Sequence, residues 1–436
     1  MVRAGRPATQ TRVFAVPKSI AIFLRIILAH YIDNFQPQQG GECYTLLVTK
    51  IRLLVITLTI LIVGSLGYLA TLYARGFRFD TKTFKFTPNG ILVIKSDPSG
   101  AQIFINGELK TASDASISVS PGTYDVTLKK EGFISWNKRL TIEKEVVTEA
   151  DVSLFRTVAS LSPITFSGCV NPKVSFDYAR IACFIPQNDI GLWVIETFNL
   201  PLGFVREPRR VTDGDLTDTI WDFSPNDRQI LLTTKQGMFL LDTGTFTPQA
   251  QRVNVASRKN TILAEWEEEK QIKLTAQLRN LSPEVADILN RKASSVAFSF
   301  DETKVLYTAS GSATLRDNLI PSLPGSSTQK QERDIKEGNT YIYDIKEDRN
   351  FLVYEGEINP AITALRWFPT SQNLILAEDG KITIMDYDGT NRQVIYSGSY
   401  IAPNAYPSSS PGKLLILTNL GATDASFPNL YSLSLK

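Results

Sequence analysis

Between Leu53 and Tyr73 stand 21 residues without a charged side chain, LLVITLTILIVGSLGYLATLY. At 1.5 Å of rise per residue such a helix is about 30 Å long, the thickness of a bilayer's hydrocarbon core. Lys50 and Arg52 precede the run, Arg75 and Arg78 follow it, and Tyr68 and Tyr73 suit an interface. The run is too long for a cleaved signal peptide, and no small-x-small site follows closely. An uncleaved membrane anchor over 48–75 is expected, with a juxtamembrane linker at 76–89. The charge flanks do not orient it. Arg75, Arg78, Lys82 and Lys85 outweigh Lys50 and Arg52 nearby, but the tail adds Arg3, Arg6, Arg12, Lys18 and Arg25 against Asp33 and Glu42.

The tail 1–47 has two readings. Ser19 to Ile32 is apolar, broken by Arg25 and His30, and too short to span, so it suits the membrane surface. Alternatively Val48-Thr-Lys-Ile-Arg-Leu-Leu reads as the start of a signal anchor, and 1–47 is then an upstream extension outside the natural protein.

After the anchor, the pattern changes to period two. Ile91-Leu-Val-Ile-Lys opens a strand, and Gln102-Ile-Phe-Ile ends in an Asn106-Gly107 turn. Pro121-Gly122 marks a second turn, after which Tyr124, Val126 and Leu128 alternate with Asp125, Thr127 and Lys129. Arg139-Leu-Thr-Ile and Ala150-Asp-Val-Ser-Leu-Phe complete a small all-β sandwich over 90–156. Pro98-Ser99-Gly100-Ala101, Ile103-x-Ile105-Asn106-Gly107, Pro121-Gly122-x-Tyr124-x-Val126 and Gly132-Phe133 resemble the PEGA domain family, with serine in place of the motif's glutamate. The resemblance implies a bacterial or archaeal surface setting and brings no catalytic residue with it.

From 157 to 436 one unit recurs: a serine or aromatic residue, a turn with Pro or Asp, a polar residue, then a short apolar strand. The copies begin at Ser175, Ser224, Ser299 and Phe368, with a degenerate one at Ser408. Each is followed by a second strand, such as Leu192-Trp-Val-Ile or Ile382-Thr-Ile-Met-Asp. Hairpins repeating at about 40–50 residues are the signature of a β-propeller. Ser224-Pro225-Asn226-Asp227 and Asp388-Gly389 are similar to the TolB-type propeller repeat. Five repeats are readable, and a sixth blade has room in 250–295 or in strands from 157–170. Two long intervals mark insertions at about 260–293 and 311–337. Leu263 to Asn280 reads as a helix, and Ser282-Pro283-Glu284 starts a second one ending near Lys292. This helical hairpin serves either as a plug or as a partner-docking surface. The segment Gly311 to Glu337, rich in Pro, Ser, Gly and charge, reads as a flexible loop.

The fold class is therefore all-β: a small β-sandwich and a β-propeller behind one transmembrane helix. The chemistry is bounded by scarcity. The chain has one histidine, His30, in the tail, so a Ser-His-Asp or Cys-His site in the body is excluded. Three cysteines are too few for a disulfide framework or a zinc cluster. Cys169 and Cys183 pair only if they face each other in one hairpin; packing as two small buried residues is the simpler expectation. Asp213, Asp215, Asp218 and Asp222 are dense, but a calcium loop starting at Asp213 would need Gly at its sixth position and Glu at its twelfth, where Asp218 and Ser224 stand. They read as a solvated turn. No Gly-rich phosphate loop follows a strand. Trp136, Trp193, Trp221 and Trp367 read as core. A net charge of +2 is no footprint for nucleic acid.

The expectation is a single-pass membrane protein of a bacterial cell envelope, with its large C-terminal part extracytoplasmic, binding or scaffolding envelope proteins or cell-surface glycans. The alternative is a partner in envelope assembly or transport, resembling TolB in role. A propeller hydrolase using carboxylates alone is the third reading. No catalytic, cofactor-binding or metal-ligating residue is assigned, no cofactor is expected, and the binding residues stay open.

Overall fold

The computed structural model describes residues 42–74, 77–80, 85–197, 207–320, 327–409, 412–420 and 427–436. The segment Ser19 to Ile32 and His30 lie outside them. The chain divides into two units, Met1–Leu72 and Tyr73–Lys436.

In the first unit a helix begins at Glu42 and runs to Ala74, taking in six residues before Val48. Its stretch Arg52–Ala74 is long and apolar enough to cross a membrane, and none of it is buried against protein. The hydroxyls of Thr57 and Thr59 donate back to the carbonyls of Leu53 and Val55, at 2.7 and 2.8 Å. Such internal pairing lets a polar side chain sit in an apolar span.

The second unit contains the sandwich. In one sheet Gly90–Asp97 lies between Ala115–Val119, antiparallel, and Val147–Ser153, parallel. The other sheet runs Glu108–Ala112, Gln102–Ile105, Gly122–Lys129, Trp136–Ile142, all antiparallel. Alternation decides the core: Leu92, Ile94, Ile103, Val126, Leu128 and Leu140 point inward and are buried. Asn106 and Gly107 both have positive φ, 50° and 83°, as the tight hairpin between Ile105 and Glu108 demands.

Phe77–Asp80 pairs with Lys85–Pro88, and Ala313–Thr314 with Asp334–Ile335; the other strands among the described residues form five sheets, the blades of a propeller. Blade 1 is Val170–Val174, Arg180–Ile185, Gly191–Glu196 and Arg209–Asp213. Blade 2 is Ile220–Phe223, Gln229–Thr234 and Gly237–Asp242, extended by a single bridge from Phe239 to Asn254. Blade 3 is Ala293–Phe298, Lys304–Ala309, Thr340–Asp344 and Arg349–Tyr354. Blade 4 is Ala364–Trp367, Asn373–Glu378, Lys381–Asp386 and Gln393–Ser397. Blade 5 is Ala405–Pro407, Lys413–Thr418 and Asn429–Ser434, completed by Ser160–Pro163 from the start of the region. The strand from 157–170 thus closes the last blade, and 250–295 is largely helical. Apolar seams join blade 1 to blades 2 and 5, and blade 4 to blades 3 and 5.

The recurring turn has a physical cause. In three blades the serine hydroxyl donates to the side chain two residues on: Ser175 to Asp177 at 2.6 Å, Ser224 to Asn226 at 2.9 Å, Ser299 to Asp301 at 2.7 Å. The same oxygen accepts the backbone N–H five residues on, from Arg180, Gln229 and Lys304. The fourth residue of each copy turns left-handed: Tyr178, Asp227, Glu302 and Ser371 have φ between 54° and 59°. Such side-chain-to-backbone bonds define the turn locally and leave the next strand free to pair.

The first insertion holds two helices, Lys259–Leu278 and Pro283–Arg291. Ser282 caps the second, accepting from the Val285 N–H. The first lays Ile262 and Trp266 on Leu231 and Met238 of blade 2, packs Leu278 at its end against the core of blade 3, and leaves most of the length between exposed. The second buries Val285, Ile288 and Leu289 against Tyr307, Tyr341 and Tyr343 of blade 3.

Two expectations change. The described parts of the second insertion, 311–320 and 327–337, are tied down. Ala313–Thr314 pairs with Asp334–Ile335, and Arg349 donates to the carbonyls of Ser327 and Gln329. Cys169 and Cys183 are bonded to each other as a disulfide, with Cα atoms 5.3 Å apart. Val170 stands opposite Phe184 on antiparallel strands, so Cys169 and Cys183 share one face as diagonal neighbours within the buried seam of blades 1 and 5.

Candidate functional site

The sandwich meets the propeller along its Trp136–Ile142 strand. The indole N–H of Trp136 donates to Asp386 at 3.0 Å. Lys138 pairs with Asp388 at 2.7 Å and with Asp386 at 3.5 Å. Both carboxylates stand where blade 4 turns at Asp386-Tyr-Asp388-Gly389. Asp388 also accepts from Ser327 at 2.7 Å and Thr390 at 2.6 Å, and Asp386 from Asn373 at 3.1 Å and Asn391 at 3.0 Å. The cluster is nearly dry: Lys138 keeps 10% of its side-chain exposure and Asp388 none.

The electrostatics follow from two acids sharing one ammonium. Burial opposes the charge of Lys138, but Asp388 and Asp386 overcome it and hold its pKa above the ordinary value. Burial likewise opposes ionisation of Asp388, but Lys138 and its hydrogen bonds overcome it and lower its pKa. Asp386 is pushed up, by burial first and by the charge of Asp388. The outer face of the junction is carried by the second insertion, where Ser327 bridges Leu140 and Thr328 donates to the Arg139 carbonyl at 3.0 Å.

Two cavities open beside this frame. One, about 770 Å³, lies between the first strands of blades 3 and 4 and reaches Tyr178. Small hydroxyls line it (Ser294, Ser295, Thr308 and Thr363), with Glu337, Glu357 and Arg366 as its charged groups. Arg366 is committed to structure. It donates to the carbonyls of Pro403 and Ala405 and lies over the Tyr406 ring. The other, about 480 Å³, is a groove between the sandwich strand Val147–Ser153 and propeller strand ends and turns that include Lys304, Asp344, Glu347 and Tyr387. The Tyr387 ring sits between two ammonium groups, Lys304 at 4.7 Å and Lys138 at 5.3 Å. Glu347 has one buried carboxylate oxygen without a hydrogen bond, and Arg349 stands 3.9 Å from it. Burial, with the charge of Asp344 beside it, pushes its pKa up to about 7.

The acids singled out in the sequence are dispersed onto separate partners. Asp213 accepts from the Gln249 N–H, Asp215 from Thr217, while Asp218 pairs with Lys235 at 2.8 Å and Asp222 with Lys173 at 3.7 Å. Among the described residues no group of three His, Cys, Asp or Glu side chains is arranged to hold a metal. Trp221 and Trp367 are core, as read from the sequence, Trp193 is only half-buried, and Trp136 combines core packing with the junction bond. Lys138, Asp386 and Glu347 were not singled out. The nearest sequence signal is Asp388-Gly389, which marks a repeat turn and announces no ion pair.

Residues 89–157 match the PEGA domain family. No curated protein matches the chain. Among solved structures it is similar to an auxiliary nutrient binding protein from Bacteroides thetaiotaomicron VPI-5482, at 8% identity and a TM-score of 0.19, over 77% of this chain and 78% of that one. It is also similar to the Cps50 (Swd1) β-propeller domain of Myceliophteria thermophila, at 12% identity and a TM-score of 0.17, over 62% and 72%. These likenesses are faint, and nothing about the function of this chain follows from them.

Proposed function

We propose that this chain is a membrane-anchored binding or scaffolding protein of a cell envelope, with sandwich and propeller acting together as one extracytoplasmic recognition body, and that it is not an enzyme. The observation carrying this reading is the buried junction of Trp136 and Lys138 with Asp386 and Asp388. A buried, fully engaged ion pair fixes one geometry between two folded parts. A scaffold that presents both as a single surface needs that. The apolar helix supports membrane attachment, and the PEGA match supports a surface setting. The Cys169–Cys183 disulfide favours an oxidising compartment, since cytosolic thiols are kept reduced.

Protease shaving of intact cells carrying a C-terminal tag tests the reading. Loss of the tag is expected. A tag protected until the membrane is opened, with Cys169 and Cys183 alkylated as free thiols, would place the body in the cytoplasm and overturn it.

A further inference from the structure

We infer that the groove along Val147–Ser153 is a peptide-binding site that takes an extended basic segment by strand addition. The inference rests on the reading of this chain as a binding module and names the class of its partner.

The strand is the edge of its sheet. It pairs with Gly90–Asp97 on one side, and among the described residues no strand pairs with the other. The phase of that ladder is fixed at both ends: Ile91 N–H donates to the Val146 carbonyl, and Leu154 N–H donates to the Asp97 carbonyl. Backbone groups of a strand alternate in direction. Even-numbered residues from 146 to 154 therefore face the partner strand. Val147, Glu149, Asp151 and Ser153 send their N–H and C=O groups outward. The groove is lined by every residue from Val146 to Ser153, so it follows the strand's edge rather than one of its faces. An open row of ladder groups within a walled groove is the arrangement that captures an extended peptide.

Charge selects the occupant. Glu149, already paired with Lys95 at 2.6 Å, and Asp151 stand on the edge, and Asp301, Asp344, Glu347 and Asp386 stand opposite. The three lysines of the groove do not balance them, and two are already engaged: Lys138 with Asp386 and Asp388, Lys304 with Asp344 at 3.8 Å. Asp151 has no ion-pair partner among the described residues, and one oxygen of Glu347 lacks a hydrogen bond. A strand with Lys or Arg at alternate positions would satisfy the backbone row and these carboxylates together.

The test uses the full chain in nanodiscs of neutral lipid at mildly alkaline pH, where Glu347 is ionised. The probes are labelled alternating Lys-Val and Glu-Val hexapeptides, and a Lys-Val hexapeptide N-methylated on alternate residues. The Lys-Val peptide is expected to bind, and the other two to bind at least about tenfold more weakly. Asp151→Pro removes one outward N–H and leaves the inner ladder intact, as proline is tolerated on an edge; it is expected to lose about tenfold as well. Glu347→Gln is expected to weaken the Lys-Val peptide and leave the weak Glu-Val signal unchanged. Equal binding of the Lys-Val and Glu-Val peptides, or full binding of the N-methylated probe to the wild-type chain, overturns the proposal even if the proline variant does not fold. Failure here leaves the shaving result untouched, so the two readings fall separately.

Discussion

Trp136 and Asp386 are joined at 3.0 Å across 250 residues of chain, the indole N–H donating to a buried carboxylate that also meets Lys138. This bond belongs to neither the sandwich nor the propeller alone. It makes the inner face of one the wall of the other.

Lys138→Met keeps the volume and removes the charge. Asp388, with no side-chain exposure, would then be buried without its cation. Losing one partner of a buried pair costs about 3–5 kcal/mol. A chemical denaturation midpoint should drop accordingly, and the double variant Lys138→Met with Asp388→Asn should recover much of the loss. A single variant as stable as the parent would show that the pair does not hold the junction.

Glu347 sets a pH dependence. Its pKa rises from an ordinary 4.5 to about 7, because burial and Asp344 oppose ionisation more than Arg349, Lys138 and Lys304 favour it. Between these values the folded state binds a proton that the unfolded state does not. Stability contributed by this group is thus complete below about pH 4.5 and declines as pH rises through 7, by at most about 3 kcal/mol. Thermal melts of Glu347→Gln should lack this part of the slope. Identical slopes in variant and parent would remove Glu347 as the cause.

The turn serines predict a local cost. Ser224→Ala deletes a buried hydroxyl that donates to Asn226 and accepts from the Gln229 N–H. The loss should be about 1–3 kcal/mol, with blade 2 amides showing faster hydrogen exchange. Ser162→Ala, on an exposed strand, is the control and should be close to neutral.

The disulfide closes a loop with a sequence separation of 14. Removing such a cross-link costs about 3 kcal/mol in the chain-entropy account. Cys183→Ser and chemical reduction should destabilise the propeller similarly. Reduction without effect on the melt would mean that the seam of blades 1 and 5 is held by packing alone.

Much of the architecture was legible because it is written in short periods. The uncharged run Leu53–Tyr73, the alternation around Tyr124, Val126 and Leu128, and the Ser-x-Asp turns each act over a few residues, where backbone hydrogen bonding and burial leave one economical solution. Sequence also marked the Ser282 cap. The disulfide was harder, since two cysteines 14 apart pair only if the register of one hairpin faces them together. That register depends on a shift between Val170 and Lys173 that no local pattern announces. The junction and the groove were beyond reach altogether. Lys138 reads as one more wet lysine on an alternating strand, and Glu347 as a turn residue. The partners of Lys138 come from a turn 248 residues away in sequence, and the raised pKa of Glu347 comes first from its burial. By itself the sequence determined what each segment would become; tertiary structure decided which surfaces would be dry, because desolvation is a property of what packs against a residue and not of the residue.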